Sequence, residues 1–430
     1  MKELNVPALA RVEGDGGITV TLDGKKVKSV TLDVHEGPRL IEQLVRGMRP
    51  EDDVNVVPRI CAICTLSHKF AAIRGMEKAL AITPPEKAVL TRELMMLGEN
   101  IESNSLHTMM LALPDFLGYP SAVAMLNDYG DDVKRALKLK KFGNHIMEVT
   151  SGRIVHGENP VIGGFGRYPG KKALEEIKAK SHEMIHDVTR VVELFGSLEI
   201  PAYADVDSDK VFMSVDAPKK KFHLYGDDIL VSNGKDFPAD DYKKLTNERV
   251  VSHSFAKRSK YMDKPFMVGA NARLINMGKR LEGQAADLFK QHYDKRWLRN
   301  PLYNNMAQAL ELVWAMESLP DACDAVAALD DPRIEEPSRR TGSGTGAVEA
   351  PRGVLYHHYE LKDGLVDVAD IITPTAQNLD DVEVHMRLAA ERMLADGKKD
   401  EEVRLGLEMV ARAYDPCISC ATHLVTLKRL

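Results

Sequence analysis

Residues 17–34 alternate apolar and polar side chains, as Gly17-Ile18-Thr19-Val20-Thr21-Leu22 and then Val27-Lys28-Ser29-Val30-Thr31-Leu32-Asp33-Val34, on either side of Asp23-Gly24. A period of two interrupted by a turn pair predicts a β-hairpin. From about Pro38 to residue 113 the apolar positions recur instead at helical spacing, among them Leu94, Met95, Leu97 and Ile101, with Leu106, Met109, Met110 and Leu113 beyond. Pro50, Pro58 and Pro84 should divide this stretch into separate helices. Further helices are expected at about 171–196, 239–250, 301–316 and 380–395, and another near 401–413 that stops before Asp415-Pro416. Residues 352–372 read as a second hairpin around Asp363-Gly364, and the polar stretch from Asp331 to Gly346 as a loop. The pattern therefore predicts a mainly α fold with small β-sheets, of the α+β class, without internal repeats.

Composition narrows the function classes. A chain of 430 residues with 44% hydrophobic content can bury a large core, as one big domain or two to three ordinary ones. Its 58 basic and 64 acidic residues leave −6, so no general basic face exists for nucleic acid or anionic lipid. No apolar signal core follows Met1 and no run of about 18 apolar residues occurs, so a cytoplasmic protein without membrane insertion is expected. Gly342, Gly344 and Ala347 superficially fit a dinucleotide fingerprint, but charged and Pro residues precede them where a strand is needed.

The cysteines carry the chemistry. Four of the five form two Cys-x-x-Cys pairs, Cys61/Cys64 and Cys417/Cys420, and Cys323 stands alone with no role assigned. Each pair can grip one soft or borderline metal. Structural zinc sites usually close loops of roughly 15–20 residues, whereas 352 residues separate these pairs. A centre enclosed by the whole fold suits that separation better than a staple, although spacing alone also permits a zinc-stabilised binding protein or a redox dithiol. Cys64 and His68, four apart, share a face if a helix begins there.

The flanks discriminate further. Arg59-Ile60-Cys61-Ala62-Ile63-Cys64-Thr65-Leu66-Ser67-His68 and Asp415-Pro416-Cys417-Ile418-Ser419-Cys420-Ala421-Thr422-His423 resemble the two signature motifs of nickel-iron hydrogenase large subunits. Arg11-Val12-Glu13-Gly14, Glu36-Gly37-Pro38-Arg39, Ala350-Pro351-Arg352-Gly353 and Thr373-Pro374-Thr375 are similar to family segments in the family's order, so the resemblance covers essentially the whole chain. Leu113-Pro114-Asp115, His156-Gly157-Glu158-Asn159 and Ala411-Arg412-Ala413-Tyr414 are most similar to the cytoplasmic sulfhydrogenase alpha type.

That resemblance implies a single large-subunit domain over 1–430, with a helical core, that cleaves dihydrogen reversibly into protons and electrons. It implies a nickel-iron centre with carbonyl and cyanide on iron, Cys61 and Cys417 as terminal nickel ligands, and Cys64 and Cys420 as bridges. Cys417 is then the proton-accepting sulfur and Glu13 the next relay group. Arg352, fixed by Pro351, and Thr375 would hydrogen-bond the cyanides, with Asp115 and Asp415 orienting Arg352. His68 would tune a bridging sulfur, and Glu42 with His423 would bind magnesium near the C-terminus. Once four cysteines hold the centre, the single remaining one cannot carry an iron-sulfur cluster. A small subunit with such clusters is therefore expected, with flavin and NAD(P)-linked subunits beyond it. A maturation peptidase is expected to act on the tail at 424–430, present here as an unprocessed form. A membrane-bound energy-converting hydrogenase subunit is the nearest alternative reading.

Overall fold

The computed structural model describes every residue except 1, 25, 38, 217–220 and 423–430. Four long helices, Glu86–Leu106, Leu126–Ser151, Lys171–Ser197 and Tyr303–Ala327, pack on one another and form the largest apolar core. The last of these is buried on all sides from Tyr303 to Met316, and its polar Asn304, Asn305, Gln308 and Glu311 are paired inside the fold with Ala413 O, Leu302 O, Asp415 and Arg273. It runs on to Ala327, eleven residues past the expected end at 316, through Pro320. A π-helical stretch, His107–Ala112, bends the chain after Glu86–Leu106 and turns it into Leu113–Leu117, which carries Asp115.

Two three-stranded antiparallel sheets flank this core. The first joins Lys2–Val6, Gly16–Asp23 and Lys26–Val34, and the helix Pro374–Ala395 packs against its third strand. The second joins Gly342–Ala350, Gly353–Lys362 and Leu365–Ile372. Here the structure corrects the reading of 331–346 as a loop, because Gly342–Gly346 is strand. Its glycines mimic turn composition but serve close packing. A Cβ on Gly346 would lie 2.1 Å from Ala71 O, one on Gly344 2.6 Å from Gly75 O, and one on Gly75 2.8 Å from His357 O. Only bare backbone lets the helix Thr65–Leu80 seat directly on this sheet.

The expected helix at 239–250 is shorter in the fold, a 3-10 turn Ala239–Asp241 followed by Tyr242–Thr246 and ended by Asn247 in the left-handed region. It abuts a four-stranded sheet of Val211–Asp216, Asp228–Val231, Lys235–Pro238 and Phe266–Met267. Among the described residues, no helix is long and apolar enough to cross a membrane.

Candidate metal centre

Three local structures deliver the two cysteine pairs to one point. The 3-10 turn Val57–Ile60 ends at Cys61 in extended backbone, and Cys64 caps the helix Thr65–Leu80. The Cys61 sulfur accepts from the amides of Ile63 at 3.3 Å and Cys64 at 3.4 Å. Glu99 ties down the first turn of that helix, accepting from Leu66 N at 2.7 Å and Ser67 N at 3.1 Å. Burial pushes its carboxyl up to about 8. At the other end Cys417 precedes the single turn Ile418–Ala421, which pairs with the N-terminal loop through Ile418 N and Glu13 O at 2.9 Å. A Cβ on Gly14 would lie 2.5 Å from Ile418 Cβ, so that approach requires glycine. Arg39 clasps both motifs, donating to Arg59 O at 3.0 Å and Ser419 O at 2.9 Å.

The result is four buried sulfurs all within 4.8 Å of one another, with Cys61 and Cys417 at 3.3 Å and Cys417 and Cys420 at 2.8 Å. All are free cysteines. The neighbouring thiols, Cys417 foremost, draw Cys61 well below the usual thiol range, while burial drives Cys417 and Cys420 far above it. Four thiolates this close cannot all ionise in a dry site without cations. The donor set therefore fits soft or borderline divalent metal, and two such ions bring the site near neutrality.

Arg352 sits at the tip of the hairpin closed by Ala350 opposite Gly353. Its Nη1 donates to the Cys64 sulfur at 3.1 Å, and its Nε donates to Asp415 O at 2.8 Å and Oδ1 at 2.9 Å. Asp415, with φ of 51°, also accepts from Gln308 at 2.9 Å. Pro351 offers its carbonyl to Arg273, as does Ala350, at 2.9 and 3.0 Å. Thr375 Oγ1 accepts from Cys417 N at 2.9 Å. One Glu13 oxygen accepts from Ser419 N at 3.0 Å and lies 3.2 Å from the Cys417 sulfur, and the other meets the Ser419 hydroxyl. His68 places Nε2 3.6 Å from the Cys420 sulfur.

One expected site residue has other partners. Asp115 does not meet Arg352. It pairs with Arg11 and with Arg412, whose Nε and Nη2 reach it at 2.8 and 3.0 Å. Those two cations hold its carboxylate instead. Glu42 is buried on the short helix Ile41–Leu44 and accepts from Ile371 N at 2.7 Å. His423 lies outside the described residues. Cys323 is buried in the helix Tyr303–Ala327, apart from the cluster, with its thiol pushed up to about 12 by burial.

The residues that anchor the hairpin escaped the sequence reading. Arg273 is fully buried and binds Glu311 at 2.5 Å and Glu349 at 2.7 Å besides the two tip carbonyls. Glu349, one residue before Ala350-Pro351-Arg352, was the available signal. An acid inside an apolar strand demands a cation.

Comparison with known proteins places these features together. The profile of the nickel-dependent hydrogenases matches residues 39–129 and 202–423. The sulfhydrogenase 1 alpha subunit of Pyrococcus furiosus is 40% identical over 99% of this chain and 100% of its own length. The sulfhydrogenase 2 alpha subunit of the same organism is 39% identical over the same shares. Among solved structures, an NAD+-reducing [NiFe]-hydrogenase in its H2-reduced state superposes with a TM-score of 0.91 at 26% identity, covering 98% of this chain and 100% of that one. The reduced Ni-Fe-Se hydrogenase of Desulfovibrio vulgaris Hildenborough shares the fold, with a TM-score of 0.80 at 23% identity over 98% and 100%.

Proposed function

This chain belongs to the nickel-dependent hydrogenases as their catalytic large subunit, and on that premise we propose the duties of its individual residues. Cys61 and Cys417 would hold nickel, and Cys64 and Cys420 would hold both nickel and an iron carrying carbonyl and cyanide. When bound, this centre supplies the Lewis acidity that polarises dihydrogen for heterolytic cleavage.

The protein's part is to move the proton and keep the site dry. Among the described residues, Cys417 is the sulfur that faces a carboxylate, while Cys64 and Cys420 face Arg352 and His68 and Cys61 accepts from two backbone amides. A sulfur beside a cationic or N–H donor is held less basic, so the proton passes through Cys417. Glu13 receives it across 3.2 Å. Ser419 fixes that carboxyl from both its amide and its hydroxyl. Arg352, locked by Asp415, and Thr375 would donate to the cyanides. Glu42 contributes to a magnesium site together with His423.

The alpha-subunit relatives imply a small-subunit partner. With Cys323 alone left over, electrons leave this chain for iron-sulfur clusters on that subunit. The likeness to an NAD+-reducing hydrogenase supports NAD(P)-linked subunits, with flavin, beyond it; a cytoplasmic setting is consistent with the sulfhydrogenase relatives, and a peptidase that trims the C-terminal tail completes the proposal. The four clustered sulfurs with Glu13 on Cys417 carry the whole reading. Elemental analysis of purified enzyme should give nickel and iron near one each per chain, with infrared bands of carbonyl and cyanide. Zinc alone would overturn it.

A further inference from the structure

Behind His68 a buried line of polar groups runs away from the sulfurs. His68 Nδ1 lies 3.0 Å from His357 Nε2, and His357 Nδ1 lies 2.9 Å from the Tyr359 hydroxyl. Tyr359 lies against the carboxyl of Asp53, whose buried oxygens complete no hydrogen bond of ordinary length and angle among the described residues. All four side chains are at most 1% exposed. His357 and Tyr359 share a face of the strand Gly353–Lys362, two residues apart, and it is this strand whose hairpin tip presents Arg352. The strand thus serves two sulfurs, Cys64 from its end and Cys420 through its flank.

We infer that His357, Tyr359 and Asp53 are positioning residues that fix the tautomer of His68, so that its Nε2–H points at the Cys420 sulfur. The argument is one of direction. A neutral imidazole has one N–H and one lone pair, so each hydrogen bond dictates the next. A metal-holding Cys420 is a thiolate and accepts only, which places the hydrogen of His68 on Nε2. Nδ1 of His68 then accepts from Nε2–H of His357, and Nδ1 of His357 accepts from the Tyr359 hydroxyl. With that hydrogen committed, the oxygen of Tyr359 can meet Asp53 favourably only if the carboxyl is protonated and donates. Asp53 suits this end of the line. Complete burial pushes its carboxyl up to about 7.

The opposite polarity, with an ionised Asp53 accepting from Tyr359, would turn a lone pair of His68 onto the thiolate. In a dry site that lone pair and the sulfur charge repel, and the tuning N–H is lost. The inference deepens the nickel-iron reading and rests on it.

The test uses the holoenzyme with its partner subunits. Tyr359→Phe keeps the ring and removes the one hydroxyl that sets the direction, whereas Asp53→Asn keeps an N–H donor. Tyr359→Phe is expected to shift the carbonyl and cyanide infrared bands and to speed nickel loss to a chelator by roughly 10-fold. Asp53→Asn is expected to leave both near the unsubstituted enzyme, and Asp53→Leu to behave like Tyr359→Phe. Unchanged bands and nickel retention in Tyr359→Phe, or an Asp53→Asn shift as large as that of Asp53→Leu, would overturn the chain while leaving the centre intact. An unsubstituted enzyme without diatomic bands would instead sink the nickel-iron reading, and the direction of the chain with it.

Discussion

Glu13→Gln isolates proton transfer from support. In the unsubstituted protein one Glu13 oxygen accepts from Ser419 N at 3.0 Å and the other meets the Ser419 hydroxyl. Glutamine reproduces both contacts, with its carbonyl toward the amide and its NH2 toward the hydroxyl, whose oxygen accepts. The loop stays docked. What disappears is a group that can take a proton from the Cys417 sulfur 3.2 Å away. General acid–base groups contribute about 10²–10⁴-fold, or roughly 3–5 kcal/mol of barrier. Exchange of deuterium gas with solvent protons, followed by mass spectrometry, should fall by that factor while nickel and iron content stay unchanged. Glu13→Asp retracts the carboxyl by about 1.5 Å, one carbon–carbon bond, and should fall between the two. Exchange in Glu13→Gln within twofold of the unsubstituted enzyme would refute the relay, because no proton carrier would remain at that atom. Loss of metal in the same variant would refute it differently, by showing that Glu13 is a support.

The other expectations are briefer. Cys417→Ala removes the sulfur closest to two others and should bring nickel content from about one per chain to near zero by elemental analysis. Asp415→Ala strands the buried guanidinium of Arg352, both side chains being 2% exposed, and should cost about 3–5 kcal/mol in denaturant unfolding; less than 1 kcal/mol would show that the pair is not tightly held. His385 donates to Ala204 O at 2.8 Å, and burial holds its imidazole down at about 3. Below its ordinary 6.5 the unfolded chain takes up a proton that the folded one refuses. Its stabilisation is therefore complete above pH 6.5 and is lost as pH falls toward 3, at about 1.4 kcal/mol per pH unit. His385→Gln should remove that share of the slope between pH 6.5 and 5 in denaturation midpoints. An unchanged slope would show that His385 is protonated in the fold.

Legibility followed how local the cause was. The Asp23-Gly24 turn is written in adjacent residues, and strands Gly16–Asp23 and Lys26–Val34 run on either side of it. Lys2–Val6, which adds a third strand to that pair, is too short to show a period of its own. Glycines misled most. Gly342, Gly344 and Gly346 look like turn punctuation, and only the approach of Ala71 and Gly75 explains them as strand. At the site, the four sulfurs, Arg352 and Glu13 were legible because their neighbours in sequence are distinctive. Asp115 was visible as a functional acid but not its partners, since Arg11 and Arg412 are 104 and 297 residues away. Arg273, His357 and Asp53 act only across the packed interior, and nothing in their own flanks marks them.

The arrangement couples metal retention to closure of the fold. Cys417 and Cys420 lie on a segment held by short contacts: the Glu13–Ile418 pairing, the Arg39 clasp and Arg352 on Asp415. Each contact reaches from a different part of the chain. Yet the same packing that assembles the sulfurs removes the water that would solvate their charge, and burial raises Cys417 and Cys420 far above the usual thiol range. At Cys417 and Cys420 packing alone therefore favours thiols, and thiols are poor ligands. Cations bound at the cluster convert it to thiolates without stranding charge in a dry site. It follows that chelation should act faster on a chain whose Arg39 clasp is cut than on the intact one, because Arg39 holds the flanks of both pairs together through Arg59 and Ser419.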